Sequence, residues 1–336
     1  MHVPYACRHS GACCSSGWAI AIERSRTAAV GMLRRDGSWL LPAPGAPPDI
    51  AGTLALSPAG QCVFHEDGCQ IQRVHGHEAL PSACQHFPRE VLIDGRGAFV
   101  TLSHYCPTAL ELLFDHIGPV EIVEGPPAVP MGDPEGLDAR DVLPPLLTDG
   151  VLMDPVGYSA WETHMVRTLS AEDGRTPDAA LRALETDLSV VQRWRPGSRS
   201  LSAEISRLPA TLHGNRRTRR MAFSKTQAPR VDMAGRGRPM GDIAPAPGSG
   251  PDMDARVIRR YLAARAFGSW MPYQAGGISA VLLSLRLIMS VLESARARVP
   301  LKQAIRETDL QLLHLTPRAL LVSAVRGAGF APRIAE

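Results

Sequence analysis

At 336 residues, 45% of them apolar and with a net charge of +3, the chain is long enough for two or three domains. It is too weakly charged to be a general nucleic-acid binder. No charged-then-apolar leader opens it, and its longest apolar run (278–292) is broken by Arg286 and too short to span a bilayer. These features predict a soluble, cytoplasmic protein with reduced thiols and with neither membrane nor nucleic-acid partners.

The first segment, "CRHSGACCSSGW" (7–18), carries Cys7 and the adjacent pair Cys13 and Cys14. "WAIAI" (18–22) alternates as a short strand does. Residues 36–61, rich in Gly and Pro, read as loop. "EVLIDGRGAFVTLSHYC" (90–106) reads as a β-hairpin turning at Asp94 and Gly95, and Pro107 then opens a helix.

Residues 119–155 hold eight prolines and predict a connector with little regular structure. Ser159 and Glu162 match a capping box, and Thr176-Pro177 starts a helix with Leu181, Leu184, Leu188 and Val191 on one face. Residues 214–254 read as a basic, flexible linker; Arg216 to Arg220 offer an anion or acidic-partner contact. The stretch "GRGRPMG" lacks the preceding strand and following helix of a nucleotide loop. In the last third Val257, Ile258, Tyr261 and Leu262 form one apolar stripe. Ile278, Val281, Leu282, Leu285, Met289 and Leu292 form another, on a helix apolar enough to be central in a bundle, and Thr316-Pro317 caps a final helix.

All seven cysteines (Cys7, Cys13, Cys14, Cys62, Cys69, Cys84 and Cys106) lie within the first 106 residues, with seven of the eleven histidines. Random placement would do this to the cysteines about 3 times in 10,000, so they form one set. An odd count without an export signal argues against a disulfide framework. One catalytic cysteine, with His86 or His104 as base, would leave the other thiols unexplained. Metal ligation accounts for the set, because soft thiolates suit zinc and iron and four complete either a zinc site or a cubane cluster. The chain has no C-x2-C knuckle, so its ligands come from distant segments and the fold must assemble around the metal. His65, His86 and His104 are the candidate histidine ligands. Adjacent Cys13 and Cys14 converge on one ion only through a sharp turn, so one of the two is expected to serve a neighbouring position.

The blocks "CRHSGACCSSGW", "EDGCQIQ" (66–72), "HGHEALPSACQHFPR" (75–89) and "LSHYCPTALELL" (102–113) resemble, in order, those of a zinc- or iron-chelating cysteine-cluster family. The nearest branch is the flagellin lysine N-methylase type. The likeness covers residues 7 to about 113 and is looser in the helices beyond. It departs at Ser10, where many members have cysteine, so either that position is not a required ligand or Cys106 supplies the missing one. The resemblance implies a metal centre, with an iron–sulfur (4Fe-4S) cluster preferred over zinc. It further implies lysine N-methylation with S-adenosylmethionine on a protein such as flagellin. Neither a strand–glycine loop–helix unit nor a C-x3-C-x2-C triad supports that cofactor from the residues themselves. A non-enzymatic metal-binding or sensing module, with a helical partner-binding half, is the competing expectation. Arg89, beside Phe87-Pro88, is the one charged residue of the blocks worth testing for a role; the favoured reading is a buried arginine that hydrogen-bonds carbonyls near the cluster.

The expected architecture is α+β. A small cysteine-rich metal-binding domain with a β-hairpin (1–118) leads through the connector (119–155) into a helical segment (156–213). The basic linker (214–254) then joins it to a C-terminal helical region (255–336).

Overall fold

The computed structural model describes residues 5, 7–116, 118–125, 136–197, 199–209, 251–274 and 276–329. The expected basic linker, with its arginine cluster, falls almost wholly outside the described residues. Within them the chain is α+β, with three small sheets and a helical bundle.

The first sheet joins β1 (Ala21–Glu23), β2 (Leu40–Leu41) and β3 (Ile50–Leu54) in the order β1-β3-β2, all antiparallel. β1 takes only the end of "WAIAI". β2 and β3 lie within the stretch expected to be loop. Their short runs, Leu40–Leu41 and Ile50–Leu54, are too brief to show alternation and form because each finds a ladder partner. Ile20, Ile22, Leu54, Trp39 and Phe64 pack below this sheet with Cys14 and Cys62 as a small core.

Two short helices follow, α1 (Thr27–Gly31) before β2 and α2 (Gln70–His75) after β3, then α3 (Ser82–His86). The hairpin is β4 (Arg89–Asp94) and β5 (Gly97–Leu102), paired antiparallel from Arg89–Leu102 to Asp94–Gly97. Its turn is therefore Gly95-Arg96, one residue later than expected. The Asp94 carboxylate accepts the Arg96 backbone N–H (2.8 Å) and closes that turn. Pro107 opens α4 (Pro107–Asp115) as expected.

The proline-rich connector carries more structure than its composition suggests. β6 (Gly136–Asp138) adds to β4 in parallel, giving the order β5-β4-β6, and β7 (Leu146–Thr148) pairs with β8 (Val151–Leu152). Prolines flank these strands rather than interrupt them, so the ladder hydrogen bonds survive.

Helix α5 (Pro155–Ser170) is capped by Asp154, whose carboxylate accepts the Gly157 N–H at 2.8 Å. The Ser159/Glu162 pair is no capping box. Both sit inside the helix, where Glu162 is buried against Arg96 (3.0 Å) and accepts the Gly268 N–H (2.9 Å). Thr176 caps α6 (Pro177–Val191) as expected, accepting from Ala179 N at 3.2 Å. After α7 (Leu201–Ile205) the described chain resumes at α8 (Pro251–Ala266) and α9 (Met271–Gln274).

Helix α10 (Ser279–Arg296) buries the whole predicted stripe and packs on α6, α8 and α9, and on α11 (Leu301–Asp309) and α12 (Arg318–Gly329). It is central, as read from sequence. Between α11 and α12 the chain makes a π-helical turn, Leu310–Leu315. The Thr316 hydroxyl donates to the Gln311 carbonyl (2.6 Å), so it closes this turn rather than capping α12. Among the described residues no helix is long and apolar enough to cross a membrane.

The hairpin leans on the bundle through polar bonds. Arg265 holds Glu90 with two bonds of 3.1 Å, and Thr101 donates to the Ala264 carbonyl at 3.1 Å. Asp309 accepts from the His104 backbone (2.5 Å) and the Tyr261 hydroxyl (2.5 Å).

Candidate functional site

The adjacent cysteines sit on one tight turn. Gly11 takes the left-handed conformation (φ +71°), and Ala12–Cys14 form a single 3-10 turn closed by Cys14 N–H to the Gly11 carbonyl (2.9 Å). The Ser16 hydroxyl donates to the Cys13 carbonyl (3.1 Å) and fixes the exit. This is the sharp turn that convergence requires, and the Cys13 and Cys14 sulfurs lie 4.0 Å apart.

The second segment docks on the first through Cys62 N–H to the Cys14 carbonyl (2.7 Å). From there the chain reverses: His65 N–H donates to the Cys62 carbonyl (2.9 Å), His65 bridges back to Cys69, and Asp67 (φ +51°) with Gly68 (φ +103°) supplies the bend. Cys69 stands immediately before α2. Two residues 55 apart in sequence, Cys14 and Cys69, are thereby brought into hydrogen-bond contact.

That contact sets the protonation of the group. Hydrogen bonding with Cys13 and with Cys69, then burial, pushes the Cys14 thiol up. The same bond from Cys14 lowers the Cys69 thiol to about 6 against the pull of burial, and lowers Cys13 as well. Burial raises Cys62 to about 11. At neutral pH Cys69 is therefore the member of the group that favours the thiolate, and Cys14 the one that keeps its proton.

Cys7 and Cys106 lie near Tyr5, whose hydroxyl is 3.6 Å from the Cys106 sulfur. Burial, outweighing the His9 N–H bond, raises the Cys7 thiol, with smaller upward pushes from the charges of Cys13 and Cys106. Cys84, on α3, packs against the same small core as Cys13 and Cys69.

The histidines divide likewise. His65 is beside the sulfurs: its Nδ1 meets the Gln61 amide (2.8 Å) and its Nε2 edge lies against Gly11. His86 is buried, and burial lowers its pKa. His104 faces the helical half, edge-on to Tyr261 (5.4 Å) with Nδ1 3.4 Å from Asp309. Arg89 places its guanidinium over the Tyr5 ring at 5.5 Å.

Sequence reasoning missed Tyr5, Gly11 and a ring cluster. Trp18, Phe87, Tyr105 and His314 touch in all six pairings, with centroids 4.5 to 6.5 Å apart. The first three lie within four residues of Cys14, Cys84 and Cys106, a local signal that was available. His314 comes from the π-helical turn, and its Nε2 meets the Ser103 hydroxyl at 2.8 Å. Burial depresses its pKa. It also lines a cavity of 120 Å³ with Glu90, Trp270 and Arg318.

Among the described residues no three or more His, Cys, Asp or Glu side chains are arranged to hold a metal ion as they stand. The donor chemistry nevertheless fits one. A tetrahedral zinc–thiolate site with bonds of about 2.3 Å has sulfurs about 3.8 Å apart, close to the Cys13–Cys14 spacing. Compared with family models, characterised proteins and solved structures, the chain has no match.

Proposed function

We propose that this chain is a thiolate metal-centre protein whose ligands are Cys13, Cys14, Cys62 and Cys69. The observation that carries the reading is the single turn that sets the Cys13 and Cys14 sulfurs 4.0 Å apart, with Cys62 docked on it through its N–H to the Cys14 carbonyl (2.7 Å). The Cys69 thiol is lowered to about 6, which favours the thiolate that a metal needs. A divalent ion bound among these sulfurs would displace their remaining protons. The 4.0 Å spacing of Cys13 and Cys14 suits one ion better than a cubane, which spreads its cysteines over separate iron atoms. Held by four thiolates, the metal would close the small core structurally, with no open position for a substrate.

The lysine N-methylation implied by the resemblance is the activity we assign to this protein, with S-adenosylmethionine and a flagellin-type protein as co-substrates. The cavity lined by His314 supports it, because that ring packs tilted against Trp18 (centroids 4.5 Å apart), four residues after Cys14.

Anaerobic purification followed by zinc, iron and sulfide analysis tests the centre. One zinc or iron per chain, without matching sulfide and lost in Cys14→Ser and Cys69→Ser, is the expected result. Full metal content in the quadruple serine variant refutes the centre. Iron with equal acid-labile sulfide replaces the single ion by a cluster. Calorimetry with S-adenosylmethionine tests the activity, and absence of binding to the metal-loaded protein removes it.

A further inference from the structure

Two opposite charges, Glu90 and Arg318, line the 120 Å³ cavity beside the Trp270 ring. Glu90 receives two bonds of 3.1 Å from Arg265, but the charge of that arginine also acts on the buried carboxylate of Asp309. One guanidinium thus serves two carboxylates, and each Glu90 oxygen keeps a lone pair beyond its Arg265 bond. Arg318, at the start of α12, is the converse. Its guanidinium stands over the Trp270 ring at 4.8 Å and donates to the Gly136 carbonyl (3.1 Å), and it has no carboxylate partner among the described residues. Gly136 pairs with Val91, the chain neighbour of Glu90, so the guanidinium is fastened beside the strand that carries the acid. Leu312, Leu313 and Leu321 add apolar surface to the same cavity.

We propose that this cavity seats the zwitterionic head of an α-amino acid, its carboxylate on Arg318, its ammonium on Glu90, and its side chain against Trp270 and the leucines. The planar guanidinium suits a carboxylate, which it grips with two parallel N–H···O bonds, and the ammonium supplies the further donor that the Glu90 oxygens can accept. A ligand of a single sign satisfies one of these groups and meets a like charge in the other, so the cavity selects for both charges together. Its volume is several times the roughly 10–15 Å³ that one water needs, which suits a compact head group. Two sources carry that head, a free amino acid and S-adenosylmethionine. Only the second rests on the methylation reading above; the site itself does not.

Calorimetry on the full chain tests the site with four probes: methionine, methioninamide (no carboxylate), N-acetylmethionine (no ammonium) and S-adenosylmethionine. Methionine should bind more tightly than either blocked form by about ten-fold or more. Arg318 is exposed, so Arg318→Ala should fold as the wild type does. It should lose about ten-fold or more in methionine affinity and leave the weaker binding of methioninamide unchanged. S-adenosylmethionine binding that weakens in the same way in Arg318→Ala supports the site and makes the larger molecule a source of the head group. Methionine binding without S-adenosylmethionine binding keeps the site and removes the methylation reading. Binding of neither, equal affinities for methionine and methioninamide, or an unchanged affinity in Arg318→Ala overturns the proposal.

Discussion

Replacing Gly11 by alanine should damage the thiol site more than any other single methyl group added nearby, and the structure separates the reasons. At φ +71° an L-residue costs roughly 1–2 kcal/mol. The new Cβ would also stand 2.3 Å from His65 Nε2 and 3.1 Å from its Cδ2, closer than atoms can approach. The ring must swing away and surrender its Gln61 bond, adding about 1–3 kcal/mol. Gly17 is the internal control: it has φ +77° but nothing within 4 Å of its would-be Cβ. Gly17→Ala should therefore cost only the backbone term, about 1–2 kcal/mol, and Gly11→Ala about 2–5 kcal/mol. Urea unfolding of the metal-free proteins measures both. In Gly11→Ala/His65→Ala the clash is gone, so the double variant should be more stable than the sum of the singles by about 1–3 kcal/mol. Equal losses for the two glycine variants, or additive losses in the double variant, would refute the argument that His65 abuts this turn.

Glu162→Ala should cost about 1–3 kcal/mol in chemical denaturation, because it removes one of the two carboxylates on buried Arg96, which keeps Asp94, and leaves the Gly268 N–H without its acceptor. Glu162→Gln keeps an acceptor for Gly268 and should lose less. Asp309 is fully buried; the charge of Arg265 and the bond from His104 overcome the desolvation that opposes ionisation, and its pKa falls to about 2. A depressed carboxyl contributes stability above its unfolded pKa and loses it as pH falls through the folded value. About 2 kcal/mol should therefore vanish between roughly pH 4 and 2 in the wild type and not in Asp309→Asn, followed by urea unfolding across that window. In metal-free protein at pH 7, iodoacetamide should label Cys69 ahead of Cys14, since only Cys69 is mostly thiolate. Faster labelling of Cys14 would reverse the proton assignment.

Where the fold is local, the sequence was a good guide. Thr176-Pro177 and the stripe through α10 depend on neighbours within one or two turns, and both stand where expected. The misreadings share a cause in distance. Ser159 and Glu162 have capping-box spacing, but Glu162 answers to Arg96, 66 residues earlier, and to Gly268, 106 later. β2 and β3 exist through each other, not through propensity. For the cysteines, clustering in the first third revealed that they act together. It could not reveal which sulfurs meet, because that is decided by a left-handed Gly11 and by the bend at Asp67-Gly68.

The ring cluster gives the two halves of the chain a common fate. Trp18 and His314 are 296 positions apart, so their contact closes nearly the longest loop the chain can make, and such contacts form late in folding. Three of its rings are splints for cysteine-bearing segments, each a few residues from a sulfur, and the fourth belongs to the turn beside the 120 Å³ cavity. Of the four rings His314 alone lines the cavity, so a molecule entering it meets the cluster through that ring. The cluster works as a hub, where the thiol end and the helical end read each other's state.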